Sequence, residues 1–110
     1  MRSIIHYKGS RTCFLCVLNH YDYTEKTVLE EHHIFGGNPN RRLSEKYGLK
    51  VYLCPEHHRT STEAVHRPDR NWNQRMLQII GQKYFEEAHP ELDFVKLFGK
   101  NYYTEEDGGQ

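Results

Sequence analysis

No stretch of this chain is apolar for long enough to cross a bilayer, and its opening, MRSIIHYKGS, is too weakly apolar to act as an export signal. A cytoplasmic protein with reduced thiols is the expectation, with no membrane partner. Cysteine is scarce and odd in number, three in 110 residues, which argues against a closed disulfide framework. In a reducing compartment Cys-x-x-Cys spacing points to metal or redox work instead. Internal repeats and low-complexity linkers are absent, and the length suits one domain. Hydrophobic residues are only 36% of the chain. A chain of this size buries roughly two-thirds of its unfolded surface, so the core is thin and a metal would support it.

A net charge of one sign is missing too: 15 Lys and Arg balance 15 Asp and Glu. The balance hides a split. Residues 41–75 hold eight basic against four acidic side chains, and residues 86–107 hold two against seven. A basic middle permits a local phosphate-facing patch without a basic protein overall, although such faces are also simply solvated.

What the chain does have is histidine, eight of them, and a readable order of elements. RTCFLCVL reads as a tight cysteine-bearing turn, and TVLEEHHIF as a strand. GGNPNRR is a turn cluster, and RRLSEKYG suits one or two helical turns. LKVYLC alternates Leu49, Val51 and Leu53 against Lys50 and Tyr52, the pattern of a half-buried strand. Pro55 with Glu56 marks a helix start in PEHHRTSTEAVH. A longer helix fits 69–88, with an apolar stripe of Trp72, Met76, Ile80, Tyr84 and Ala88 widened by Leu77 and Phe85. A short helix in ELDFVKLFG ends on Gly99. The fold class expected is α+β in a single domain over 1–110. Its core spans about 12–67, a helical extension 69–103 and a frayed tail 104–110.

Two x-x-spaced pairs stand out. Cys13-x-x-Cys16 lies in the knuckle, and Cys54-x-x-His57 at the strand-to-helix junction. Together they form a Cys3His set, a common structural Zn2+ combination. Such binding can contribute on the order of 10 kcal/mol to folding. The bland alternative is three buried apolar cysteines. A thioredoxin-like role fits poorly, because no βαβ pattern surrounds the motif.

Four more histidines remain: His32 and His33 at a strand end, His58 after the second zinc pair, and His66 eight residues on. Neighbours on a strand face opposite ways, so one packing role cannot serve both His32 and His33. The run EEHHIFGG, then YGLKVYLCPEHHR, with CFLC upstream, resembles the HNH endonuclease family, the zinc-containing ββα-metal nucleases. With VHRPD and KLFGKNYY added, it is most similar to small HNH proteins of phages and prophages. The likeness runs from about Cys13 to Tyr103 and is looser toward the C-terminus.

The resemblance implies a metal-dependent endonuclease that hydrolyses DNA. His33 would be the general base, and His32 and His58 would hold one divalent cation such as Mg2+, Mn2+, Ni2+ or Zn2+. His66 is the candidate further ligand, with Thr62 the poorer chemical alternative. Arg59, Arg41 and Arg42 are candidates for gripping DNA phosphates. A double-strand break would call for a homodimer or a phage protein partner. The family's middle Asn falls on Leu49 here, and Asn38 or Asn40 is the expected substitute in supporting the base. Two other readings stand beside this one: a catalytically inactive, zinc-stabilised nucleic-acid-binding module, and a zinc-organised protein-interaction domain.

Overall fold

The computed structural model of the protein describes residues 1–60, 64–66 and 71–104; Thr62, the whole RPD stretch and the tail from 105 lie outside the described residues. A 3-10 turn (Lys8–Ser10) leads to α1 (Phe14–His20), β1 (Glu30–His33), α2 (Asn40–Tyr47) and β2 (Lys50–Leu53). A wide π-type turn (Glu56–Thr60), α3 (Trp72–Ala88), α4 (Phe94–Phe98) and a last 3-10 turn (Tyr102–Thr104) complete it. This is a small α+β architecture, and among the described residues no helix is long and apolar enough to cross a membrane.

The two strands pair antiparallel, with Glu30 opposite Leu53, Glu31 opposite Tyr52, His32 opposite Val51 and His33 opposite Lys50. The β2 alternation predicts one wet face, yet all four residues of β2 are buried. Two features explain the difference. Residues 3–6 lie along the free edge of β2: Ser3 Oγ donates to the Lys50 carbonyl, and the Tyr52 N–H donates to His6 Nδ1. The Lys50 ammonium is buried but paired, 3.0 Å from both Glu31 and Glu45. An edge strand covered in this way is shielded from pairing with other chains.

The core runs as one cluster from Cys13 and Leu15 through Ile34, Phe35 and Val51 to Leu77, Phe85, Phe94, Phe98 and Tyr102. Phe35 is its hub, with the rings of Phe94, Phe98 and Tyr102 at 5.3, 5.1 and 5.0 Å. Ser44 on α2 satisfies both backbone groups of Phe35: its hydroxyl accepts from the Phe35 N–H and donates to the Phe35 carbonyl. Gln82, also buried, accepts from the Tyr102 N–H and ties the C-terminal segment to α3.

Three local expectations are corrected. The CFLC knuckle is the entry to a helix, because Cys13 holds the extended cap position and α1 begins at Phe14. The segment after Pro55 does not continue as an α-helix. It makes one wide turn, and Val65 and His66 then bond back to the carbonyls of His57 and His58. The buried stripe of α3 is rotated by about one residue: Leu77, Gly81, Gln82 and Phe85 face inward, while Trp72 is 66% exposed and Met76 and Tyr84 lie outside. Gly81 explains the rotation, because a Cβ there would stand 2.9 Å from the Phe35 ring.

Candidate functional site

The first cluster sits where α1, the end of β2 and the π-type turn meet. Cys13, Cys16, Cys54 and His57 are all buried, and no pair of the cysteines is disulfide-bonded. His57 Nδ1 stands 3.5 Å from each of the three sulfurs, and Cys16 and Cys54 are 3.9 Å apart. A tetrahedral zinc with ordinary Zn–S and Zn–N lengths puts sulfur and nitrogen about 3.6 Å apart and two sulfurs about 3.8 Å apart. The donor set therefore has the chemistry and the spacing to hold a zinc ion. Burial and the neighbouring Cys13 and Cys54 thiols push the Cys16 thiol up to about 12, and burial raises Cys54 as well. Binding a cation there must expel those protons.

The second cluster lies on the other side of the same wide turn. His32, His58 and His66 bring one ring nitrogen each within 4.8 Å of one another. The Nε2 atoms of His58 and His66 are 3.0 Å apart. Cis ligands at roughly 2.1 Å around an octahedral ion have about this separation. Two of the three rings are oriented from behind. Gln74 donates its amide N–H to the Ile34 carbonyl, so its Oε1 must accept from His32 Nε2–H at 2.8 Å. That leaves Nδ1 as the donor atom of His32. His58 Nδ1–H donates to Glu30 at 2.6 Å, which leaves Nε2 for a ligand. Carboxylates and amides behind imidazole ligands fix their tautomer in this way. Burial, joined by the fields of His58, His66 and His33, holds His32 down at about 4, so its ring is neutral at ordinary pH.

His33 points away from this trio. Its Nε2 meets Glu45 Oε1 at 2.8 Å and lies 3.8 Å from Glu31. A carboxylate only accepts, so Nε2 carries the proton and Nδ1 is the basic nitrogen. Hydrogen bonds from His33, the terminal amine and Lys50 hold the Glu45 carboxyl well below the usual range. Glu31, His32, His33, Gly36, Gly37, Arg41, His58 and His66 line one open cleft.

The remaining candidates separate. Arg59 is paired with Glu30 through two bonds of 3.2 and 2.8 Å, and Arg42 reaches Asn38 at 3.5 Å, whereas Arg41 lines the cleft. Leu49 is fully buried in the core. Among the described residues neither expected substitute is hydrogen-bonded to His33: Asn40 donates to the Phe98 carbonyl, and Asn38 accepts from Arg42. Support of the ring comes from Glu45 instead. Glu45, Gln74 and the bond to Glu30 are the parts that sequence reasoning missed. Strand alternation places Glu31 beside His33, but nothing local links either histidine to residues 45 or 74. No family model, curated protein or solved structure matches the chain.

Proposed function

We propose that the protein is a metal-dependent endonuclease of the HNH type acting on DNA. The observation that carries the reading is a division of labour across one strand end. His32 joins His58 and His66 as a neutral ligand trio, while His33, on the opposite face, is held by Glu45 at 2.8 Å with its basic nitrogen left over.

Phosphodiester hydrolysis needs a water deprotonated in line with the bond that breaks, and stabilisation of the charge that grows on the phosphate and the leaving oxygen. His33 Nδ1 takes the proton from water as its oxygen bonds to phosphorus. The P–O3′ bond breaks, the leaving oxygen takes a proton from solvent, and the base returns its own proton to solvent. Glu45 fixes the tautomer and orientation of the ring. His32, His58 and His66 would hold a divalent cation, which would supply positive charge against the negative charge that grows in the transition state. Gly36 and Gly37 leave the rim open, since a Cβ at either meets nothing within 4 Å, and Arg41 offers a guanidinium there.

The test is plasmid nicking by protein depleted of the loosely held cation, with Mg2+, Mn2+ and Ni2+ returned singly. Wild type is expected to nick, and folded His33→Ala to lose at least a hundredfold in rate, in line with general-base contributions of about 10²–10⁴. Absence of cutting by wild type under every metal would reject the enzyme. The buried Leu49, at the family's Asn position, would then favour an inactive nucleic-acid-binding module.

A further inference from the structure

Two cations of the basic middle are neutralised within the fold. Arg59 is tied to Glu30, and Lys50 to Glu31 and Glu45. Cations with weak carboxylate pairing or none gather elsewhere, around the zinc knuckle. A groove of about 380 Å3 is lined by Lys8, Arg11, Lys26, Tyr52 and Glu31, among others. Lys8 and Arg11 are exposed and make no ion pair among the described residues, and Lys8 stands over the Tyr52 ring at 5.6 Å. Lys26 has one loose partner among the described residues, Asp22, at 3.5 Å.

The backbone holds this array in place. Arg11 adopts a left-handed conformation, φ 59°, two residues before the ligand Cys13, and its carbonyl accepts from the Lys26 N–H at 2.8 Å. The knuckle that closes the Cys3His cluster therefore also holds two cations side by side. Among the described residues Glu31 is the one carboxylate on the wall, and it already has the Lys50 ammonium at 3.0 Å.

Glu31 also lines the histidine cleft, so the groove and the cleft share one wall residue. On the other side, Lys8 and Tyr52 are shared with a second depression that contains Arg2 and Tyr7, and Tyr7 is 79% exposed. Cations strung along a groove suit the repeated charges of a polymer better than a single anion, and an exposed ring among them can stack on a base.

We infer that Lys8, Arg11 and Lys26 form a phosphate-backbone track that carries one strand of a nucleic acid past the zinc knuckle and into the histidine cleft. This rests on the nuclease reading for the identity of the cleft, but its test does not. Binding is measured by fluorescence anisotropy with a labelled oligonucleotide over a salt series, in a His33→Ala background so that no probe is cut. Lys8→Gln/Arg11→Gln is expected to weaken binding about tenfold at moderate salt, irrespective of probe sequence, and to lower the salt slope by about two. Lys83→Gln/Lys96→Gln, which removes the same charge from exposed positions on α3 and α4, is expected to leave both unchanged. Free mononucleotide in excess is expected to displace little of the probe.

Equal losses in the two double variants would overturn the track, since net charge alone would then account for binding. So would wild-type affinity in Lys8→Gln/Arg11→Gln at unchanged melting temperature, or displacement by mononucleotide as efficient as by oligonucleotide. The two readings fail separately. If wild type never cuts but the track variant binds weakly, the enzyme is lost and the track stands; if wild type cuts and the track variant binds normally, the reverse holds.

Discussion

At the scale of single residues, the adjacent histidines differ through what lies behind them. His32 is buried between Val51's strand and the other two imidazoles, with Gln74 as its anchor, whereas His33 is tied to Glu45. The consequence for His32 is a pH dependence with a definite sign. Its folded value, about 4, lies below the ordinary 6.5, so between these values the unfolded chain binds the proton and the native state does not. Stability is whole above about pH 6.5, declines as pH falls through that window, and levels off below about 4. At pH 5 the loss amounts to about 2 kcal/mol, because each pH unit crossed inside the window costs about 1.4 kcal/mol. Urea unfolding of wild type and His32→Gln at pH 7 and pH 5 checks this. Wild type should lose about 2 kcal/mol more than the variant, and equal losses would contradict it.

At the scale of elements, periodicity predicts that something is buried but not always which face. The strand pattern located β1 and β2, and Gly48 and Gly99 close α2 and α4 with left-handed backbones as a glycine terminator should. The apolar stripe of α3 pointed to Trp72 and Met76, yet the face that packs is the one with Gly81, where a Cβ would stand 2.9 Å from the Phe35 ring. A glycine inside a helix is a poor periodicity signal, as it has no side chain to count. Gly81→Ala sets two magnitudes against each other: about 1 kcal/mol gained in helix propensity and about 1–3 kcal/mol lost to overpacking against an aromatic hub. Net destabilisation of about 1 kcal/mol is expected in a denaturant titration. A more stable variant would show that Phe35 can give way.

At the scale of the whole molecule, the zinc-type cluster joins α1, β2 and the π-type turn, none of which is long enough to be stable alone. Metal analysis is expected to give one tightly held zinc per chain. Its removal by a strong chelator at neutral pH should unfold the protein, since such sites contribute on the order of 10 kcal/mol against a typical stability of about 5–15 kcal/mol. Cys54→Ser should act the same way. A chelated protein with unchanged circular dichroism and melting temperature would reduce the cluster to ordinary packing.

The sequence by itself determined the α+β class, the four members of the Cys3His cluster and the candidacy of His32, His33, His58 and His66. These depend on spacing and residue chemistry, which are local. His58 and His66 do converge, although through backbone bonds that return the chain on itself and not through a shared α-helical face. Only the tertiary structure decided what orients the histidines. Glu30, Glu45 and Gln74 reach them from strand, helix and helix, across 28, 12 and 42 positions of sequence. It alone also decided which cations are left over, by pairing Arg59 and Lys50 and leaving Lys8 and Arg11 without an ion pair among the described residues. Contacts between distant segments carry no periodicity. They arise from the packing of Phe35 against α3 and of residues 3–6 along β2, and they become legible only once the chain has closed on its core.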